Sequence, residues 1–214
     1  MNLLHALHQP SGDGPHPTIF VLHGYGANAH DLLGLAPHLL GGEALVIAPQ
    51  GPLAVPLDPQ GRLHGYAWFP LTLVQPPTPE DVQKGIDAAQ AFVDAAIEKY
   101  PVDPKRIALL GFSQGGLVAF ALALQAPGRW KALAALSTWL PDDLNAALDA
   151  DASALPVWVH HGTKDEVIAV SRARDTKAKL EARGVPITYK EYEMGHEISV
   201  DSLRDLVGWL QEKV

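Results

Sequence analysis

Five stretches of this 214-residue chain are apolar almost throughout: TIFVLHG (18–24), EALVIAPQG (43–51), RIALLGFS (106–113), KALAALS (131–137) and LPVWVHHG (155–162). A strand with one wet face alternates apolar and polar residues, whereas these runs do not alternate. Apolar runs of about four to eight residues fit strands buried on both faces of a parallel sheet. PITYKEYEMG (186–195) alternates more and reads as a strand nearer an edge.

Parallel strands need crossovers, and helical patterns lie between these runs. Thr78-Pro79 opens one, with Thr78 as N-cap and Pro79 at the first helical position. Ile86, Ala89, Val93, Ile97 and Tyr100 then mark one face. GGLVAFALALQ (115–125) is apolar nearly all round and predicts a buried helix, while 171–184 and 199–214 complete the set. The alternation predicts an α/β fold: a mostly parallel, doubly wound sheet with helices on both faces and its site at the carboxyl ends of the strands. The length suits one domain over 1–214. Residues 49–79 break the rhythm, with eight of the 18 prolines, yet Tyr66, Trp68, Phe69, Leu71, Leu73 and Val74 make this segment too apolar for disorder. It reads as an ordered excursion that covers or lines a pocket.

The net charge is −8, without a dense Lys/Arg run, which disfavours nucleic acid and anionic membranes as partners. There is no cysteine, so disulfides, thiolate metal sites and a cysteine nucleophile are excluded. The first residues lack a signal-peptide pattern, and no apolar run is long enough to span a bilayer, so the expected location is cytoplasmic. The ten histidines show no H-x-x-x-H with a flanking Glu, and no metal is expected. GYG (24–26) lacks the third glycine of a dinucleotide fingerprint.

GFSQG (111–115) matches G-x-S-x-G, the turn that lifts a serine between an apolar strand and a buried helix. The bland alternative is a capping serine. A serine hydroxyl needs a base, and the base needs an orienting carboxylate. In the order Ser, acid, His, Asp165 follows Ser113 by 52 residues and His196 follows Asp165 by 31, each just past a strand. Glu166 competes with Asp165 for the acid's place. His160, His161 and His23 read as structural, and the remaining histidines lie in the wrong order. Oxyanion donors are expected from the backbone N–H groups of Gln114, at a helix N-terminus, and of Tyr25, in HGYGAN (23–28).

These motifs, with AWF (67–69), GFSQGG (111–116), LSTWLP (136–141), HGTKDEVI (161–168) and GH (195–196), resemble the phospholipase/carboxylesterase family of small α/β-hydrolases, which includes acyl-protein thioesterases. The resemblance covers most of the chain. It implies the α/β-hydrolase fold, Ser113, Asp165 and His196 as a triad, and cofactor-free cleavage of carboxylic or thioester bonds. Pro70 and Thr138 depart from the residues common in the family, and both flank the expected pocket.

The resulting expectation is a serine esterase acting on a small acyl ester of short or medium chain. Acyl-protein thioesters and lysophospholipids are alternatives, and a non-catalytic ligand-binding protein on the same fold is a rival of another class. Trp68, Phe69, Trp139, Val167 and Ile168 fit core and acyl-pocket lining equally well; with Leu71 and Leu73 they are the substrate-binding candidates. A homodimer through an apolar rim stays open.

Overall fold

The computed structural model describes residues 3–71, 77–142, 144 and 151–214. Seven strands form the main sheet in the order β1-β3-β2-β6-β7-β8-β9. They are β1 (His5–His8), β2 (His16–Leu22), β3 (Leu45–Pro49), β6 (Val102–Phe112), β7 (Ala132–Leu136), β8 (Val157–Gly162) and β9 (Ile187–Tyr192). All pair in parallel except β1, which lies antiparallel on β3 with His5 opposite Pro49.

Side chains one residue apart on a strand point to opposite faces, so an all-apolar strand needs two cores. On β2, Phe20 and Leu22 join one cluster, and Ile19 and Val21 the other. The first cluster is closed by α1 (Pro79–Lys99), α2 (Gln114–Gln125) and α3 (Val170–Ala182), through residues such as Phe92, Phe120 and Leu180. The second is closed by α4 (Val200–Lys213) through Leu206, Trp209 and Leu210, and by Leu32, Ala36 and Leu39 around two 3-10 turns. The link from β2 to β3 is therefore made of 3-10 turns rather than an α-helix.

Local chemistry explains the helix starts. The Thr78 hydroxyl accepts from the Asp81 N–H, and the Asp81 carboxylate accepts from the Thr78 N–H, a capping box with Pro79 at the first helical position. In α2 every residue from Gln114 to Leu124 is buried, which fits its apolar surface.

The proline-rich excursion carries an unforeseen two-stranded hairpin, β4 (Leu53–Pro56) and β5 (His64–Ala67), with Leu53 opposite Ala67 and Pro56 opposite His64. The hairpin is tied to the loop after β2: Gly26 N–H donates to the Tyr66 carbonyl at 2.9 Å, and Tyr66 N–H to the Ala27 carbonyl at 2.8 Å. Leu73 and Val74 lie outside the described residues.

Candidate active site

The carboxyl ends of β2, β6, β8 and β9 face one rim of the sheet. At the end of β6, Ser113 has φ 53 and ψ −119, a conformation unfavourable for a residue with a Cβ. Its neighbours hold it there. Ser113 N–H donates to the Leu136 carbonyl at 2.9 Å, and the Ser113 carbonyl accepts the Thr138 hydroxyl at 2.8 Å and the Gly116 N–H at 3.0 Å. The flanking glycines make the bend sterically possible. A Cβ on Gly111 would lie 2.3 Å from the Gly115 carbonyl oxygen, and one on Gly115 would lie 2.1 Å from that of Leu22.

Two loops bring the other side chains to this bend. Thr163 N–H donates to the Tyr192 carbonyl at 2.8 Å and Lys164 N–H to the Met194 carbonyl at 3.0 Å. The chain after β8 thus lies against the chain after β9, and Gly162 leaves room for the Met194 and Gly195 carbonyls. His196 Nε2 is 2.9 Å from Ser113 Oγ, and its Nδ1 is 2.8 Å from Asp165 Oδ2. A carboxylate only accepts, so Nδ1 carries the proton and Nε2 is left to accept from the serine hydroxyl. The Phe112 ring packs on the imidazole, with centroids 4.9 Å apart. Glu166, the competing acid, is exposed, whereas Asp165 is buried.

Asp165 is surrounded by donors. Its Oδ1 accepts from the N–H groups of Val167 at 2.9 Å and Ile168 at 2.8 Å. Its Oδ2 accepts from His196 and lies 3.2 Å from Nε2 of His161. Burial pushes this carboxyl up, but the Ile168 N–H, His196 and the Val167 N–H outweigh it and hold Asp165 below the ordinary carboxylate range. His161 is fully buried, and its Nε2 is also 2.7 Å from the Ile168 carbonyl. Both neighbours of that nitrogen are acceptors, so it carries the proton. The sequence marked His161 only as structural; here it touches the carboxylate behind the imidazole.

Among the described residues, the backbone N–H groups of Tyr25 and Gln114 make no hydrogen bond. Gln114 N–H heads α2, where first-turn donors have no helical partner. The Tyr25 loop is braced by buried His23, whose Nδ1–H donates to the Gly24 carbonyl at 2.7 Å and whose Nε2 accepts from Gly51 N–H at 2.9 Å. Burial holds His23 below its usual range despite the Gly24 carbonyl and Asp31. Gly24 is close to the elbow: a Cβ there would be 3.4 Å from the Cβ of Ser113.

The substrate-binding candidates separate. Trp68 and Phe69 are 1% and 3% exposed and belong to the core. The Trp68 indole N–H donates to the His23 carbonyl at 2.9 Å. The Gln114 side chain holds the same segment by accepting from Trp68 N–H at 2.8 Å and donating to the Phe69 carbonyl at 2.7 Å. Ile168 is buried and supplies backbone contacts to Asp165 and His161. Trp139 is half-buried, with the Arg172 guanidinium 5.1 Å from its ring centre. Leu71 and Val167 are exposed, 41% and 70%. Leu73 is not among the described residues. The side-chain roles of Gln114 and Thr138 were not foreseen. A lone amide opening an otherwise apolar, buried helix was the available signal for Gln114.

Among the described residues no three His, Asp or Glu side chains cluster as metal ligands would, and no helix is long and apolar enough to cross a membrane.

The seven-stranded, mostly parallel sheet with a strained serine at the β6–α2 bend defines an α/β-hydrolase. The chain belongs to the phospholipase/carboxylesterase family, whose model matches residues 5–213. It is 28% identical over 69% of its length to a probable carboxylesterase of Arabidopsis thaliana, SOBER1-like, of which the match covers 59%. A probable carboxylesterase of Oryza sativa subsp. japonica is 27% identical over 74% of the chain and 63% of the relative. The chain thus spans less than two thirds of both plant relatives. An acyl-protein thioesterase 1 of Mycosarcoma maydis is 24% identical over 95% of the chain and 94% of its own. Among solved structures, esterase PE8 superposes with a TM-score of 0.86 at 26% identity, covering all of both chains.

Proposed function

We propose that the protein is a serine hydrolase that cleaves carboxylic esters of short or medium acyl chain through an acyl-enzyme. The supporting observation is the unbroken line from Ser113 Oγ through the His196 imidazole to Asp165, at 2.9 and 2.8 Å. Ser113 Oγ attacks the acyl carbon while its proton passes to His196 Nε2. Asp165 holds the imidazole and stabilises its charged form. The negative oxygen of the tetrahedral intermediate is received by the N–H groups of Tyr25 and Gln114. His196 then protonates the departing alcohol, and water repeats the sequence on the acyl-serine to release the acid. On this reading Leu71, Trp139 and Val167 flank the acyl side, with residues 49–71 lying over it as part of the same unit.

A thioester reading has its own support, since the match to the Mycosarcoma maydis acyl-protein thioesterase runs over nearly the whole length of both chains. The acyl-serine is common to both, so parallel ester and thioester series of equal acyl length separate them. The mechanism itself is tested by Ser113→Ala on a nitrophenyl ester and by labelling with a fluorophosphonate. The expected loss is on the order of 10⁴-fold or more in rate, with no label retained. Near-wild-type turnover by the alanine variant would falsify the role of Ser113.

A further inference from the structure

A recess of about 240 Å³ opens on the Phe112 ring, on the opposite side of the sheet from α2. Leu32, Leu35, Phe112 and Ile198 line it, with Asp31 at its edge. Phe112 is the residue before the candidate nucleophile, and its ring lies on His196. Ile198 is two residues beyond His196. None of the described substrate-binding candidates from the sequence lies on this wall.

We infer that this recess is the leaving-group subsite, and that it takes a neutral, apolar alcohol portion about the size of a hexyl or benzyl group. The inference rests on Ser113 and His196 acting as nucleophile and base. During acylation a bond forms between Ser113 Oγ and the acyl carbon. The bond from that carbon to the alcohol oxygen breaks, and the proton on His196 Nε2 passes to that oxygen. The leaving oxygen must then sit within hydrogen-bond reach of Nε2, so its substituent projects along the imidazole. Phe112, whose ring packs on the imidazole, also forms a wall of the recess, which places the recess one ring away from His196. Its volume equals about eight water-sized volumes of ~30 Å³, room for a ring or a six-carbon chain. Four of its five lining side chains are apolar. The fifth, Asp31, is exposed and repels a leaving group that carries phosphate.

The alcohol has departed before water attacks the acyl-serine. The subsite therefore acts on acylation, read in kcat/KM, and leaves the deacylation of a given acyl group unchanged.

The experiment uses the purified full chain and two ester series. One holds the acyl group as butyrate and varies the alcohol from methyl to hexyl and benzyl. The other holds methyl and varies the acyl chain. The expected benzyl-to-methyl ratio in kcat/KM is roughly 10- to 100-fold, the worth of burying one ring-sized apolar group. Leu35→Trp fills the recess and brings that ratio close to one while the ratios of the acyl series keep their wild-type values. Ile198→Trp fills it from the other wall and serves as the second variant, since both side chains are only half-buried. The inference is overturned if both substitutions leave the alcohol ratio as it was, or if they alter the acyl ratios instead. An active Ser113→Ala enzyme overturns the mechanism as a whole; an inactive one with an indifferent alcohol series overturns only the subsite.

Discussion

Replacing Gly115 by alanine tests the closest approach in the site. The added Cβ would stand 2.1 Å from the Leu22 carbonyl oxygen and 2.5 Å from that of His23. Both separations fall short of ordinary contact by roughly 1 Å or more, and the obstacle is backbone, so β2 and α2 must part. Leu22 is paired with Gly111 on the neighbouring strand, and the His23 carbonyl accepts the Trp68 indole N–H. Overpacking of this kind costs about 1–3 kcal/mol, and leaving a buried indole donor unpaired about 1–3 kcal/mol more. Higher helix propensity returns up to ~1 kcal/mol, for a net loss of about 1–6 kcal/mol. For a chain of this size that corresponds to a fall in Tm of roughly 2–24 °C. Activity should suffer further, because the displaced carbonyl is two residues from Tyr25. A shift of about 1 Å in an oxyanion donor lowers kcat/KM by ~10²-fold. Gly208→Ala is the control: its Cβ meets nothing within 4 Å, and it lies exposed within α4. It should gain up to ~1 kcal/mol. Urea unfolding together with kcat/KM per fluorophosphonate-titrated site gives both quantities. A Gly115→Ala protein within ~0.5 kcal/mol of wild type and fully active would refute the elbow contact as described.

His161→Leu removes a donor from Asp165 Oδ2 and should lower kcat/KM per titrated site by roughly 10- to 100-fold, with partial rescue by His161→Gln, which keeps an N–H at similar reach. A purely structural His161 would reduce the number of titratable sites and leave the rate per site unchanged. Burial, and then the nearby His161, lowers His160 from 6.5 to about 3. Its folded value lies below its unfolded one, so its contribution to stability is present above pH 6.5 and is lost as pH falls from there toward 3. Unfolding free energies measured from pH 7 to pH 5 should therefore fall with a slope of up to ~1.4 kcal/mol per pH unit from this residue, and more gently in His160→Phe; equal slopes would remove His160 as the cause.

The sheet was legible wherever a strand is buried on both faces, because burial forces the unbroken apolar runs that become β2, β3, β6, β7 and β8. β1 was not: His5, Leu7 and His8 are only half-buried, and an edge strand of four residues leaves no run to detect. The β4–β5 hairpin was hidden by Pro52, Pro56 and Pro59. Proline is unfavourable inside sheets, but a two-stranded ribbon is all edge, and Pro56 can sit opposite His64 without removing a bond the ribbon needs. The meeting of Ser113, Asp165 and His196 could be read because each follows a strand and all strand ends share one rim. The walls of the recess could not, since Leu35, Phe112 and Ile198 come from three separate segments and are ordinary apolar residues in each. Trp68 and Phe69 left two readings open for a related reason, as an aromatic pair serves a core as well as a pocket.

Gln114 shows why the site is more constrained than the three-residue line suggests. Its backbone N–H makes no hydrogen bond among the described residues, while its side chain accepts from Trp68 N–H and donates to the Phe69 carbonyl. Only an amide offers a donor and an acceptor to two successive backbone groups. An ionised glutamate would oppose the Phe69 carbonyl with negative charge, and an apolar residue would leave the buried Trp68 N–H unpaired. Through Trp68 the same segment bonds the His23 carbonyl, and through Tyr66 it bonds Gly26, on either side of Tyr25. The backbone at both Tyr25 and Gln114 is therefore tied to one stretch, 66–69. The side chains of Leu71, Val167, Leu35 and Ile198 make none of these bonds, although the Leu71 carbonyl accepts the Tyr25 hydroxyl at 3.3 Å and the Val167 N–H donates to Asp165 at 2.9 Å. On the proposed mechanism, changing these side chains should therefore alter substrate preference with little strain on Ser113, Asp165 and His196.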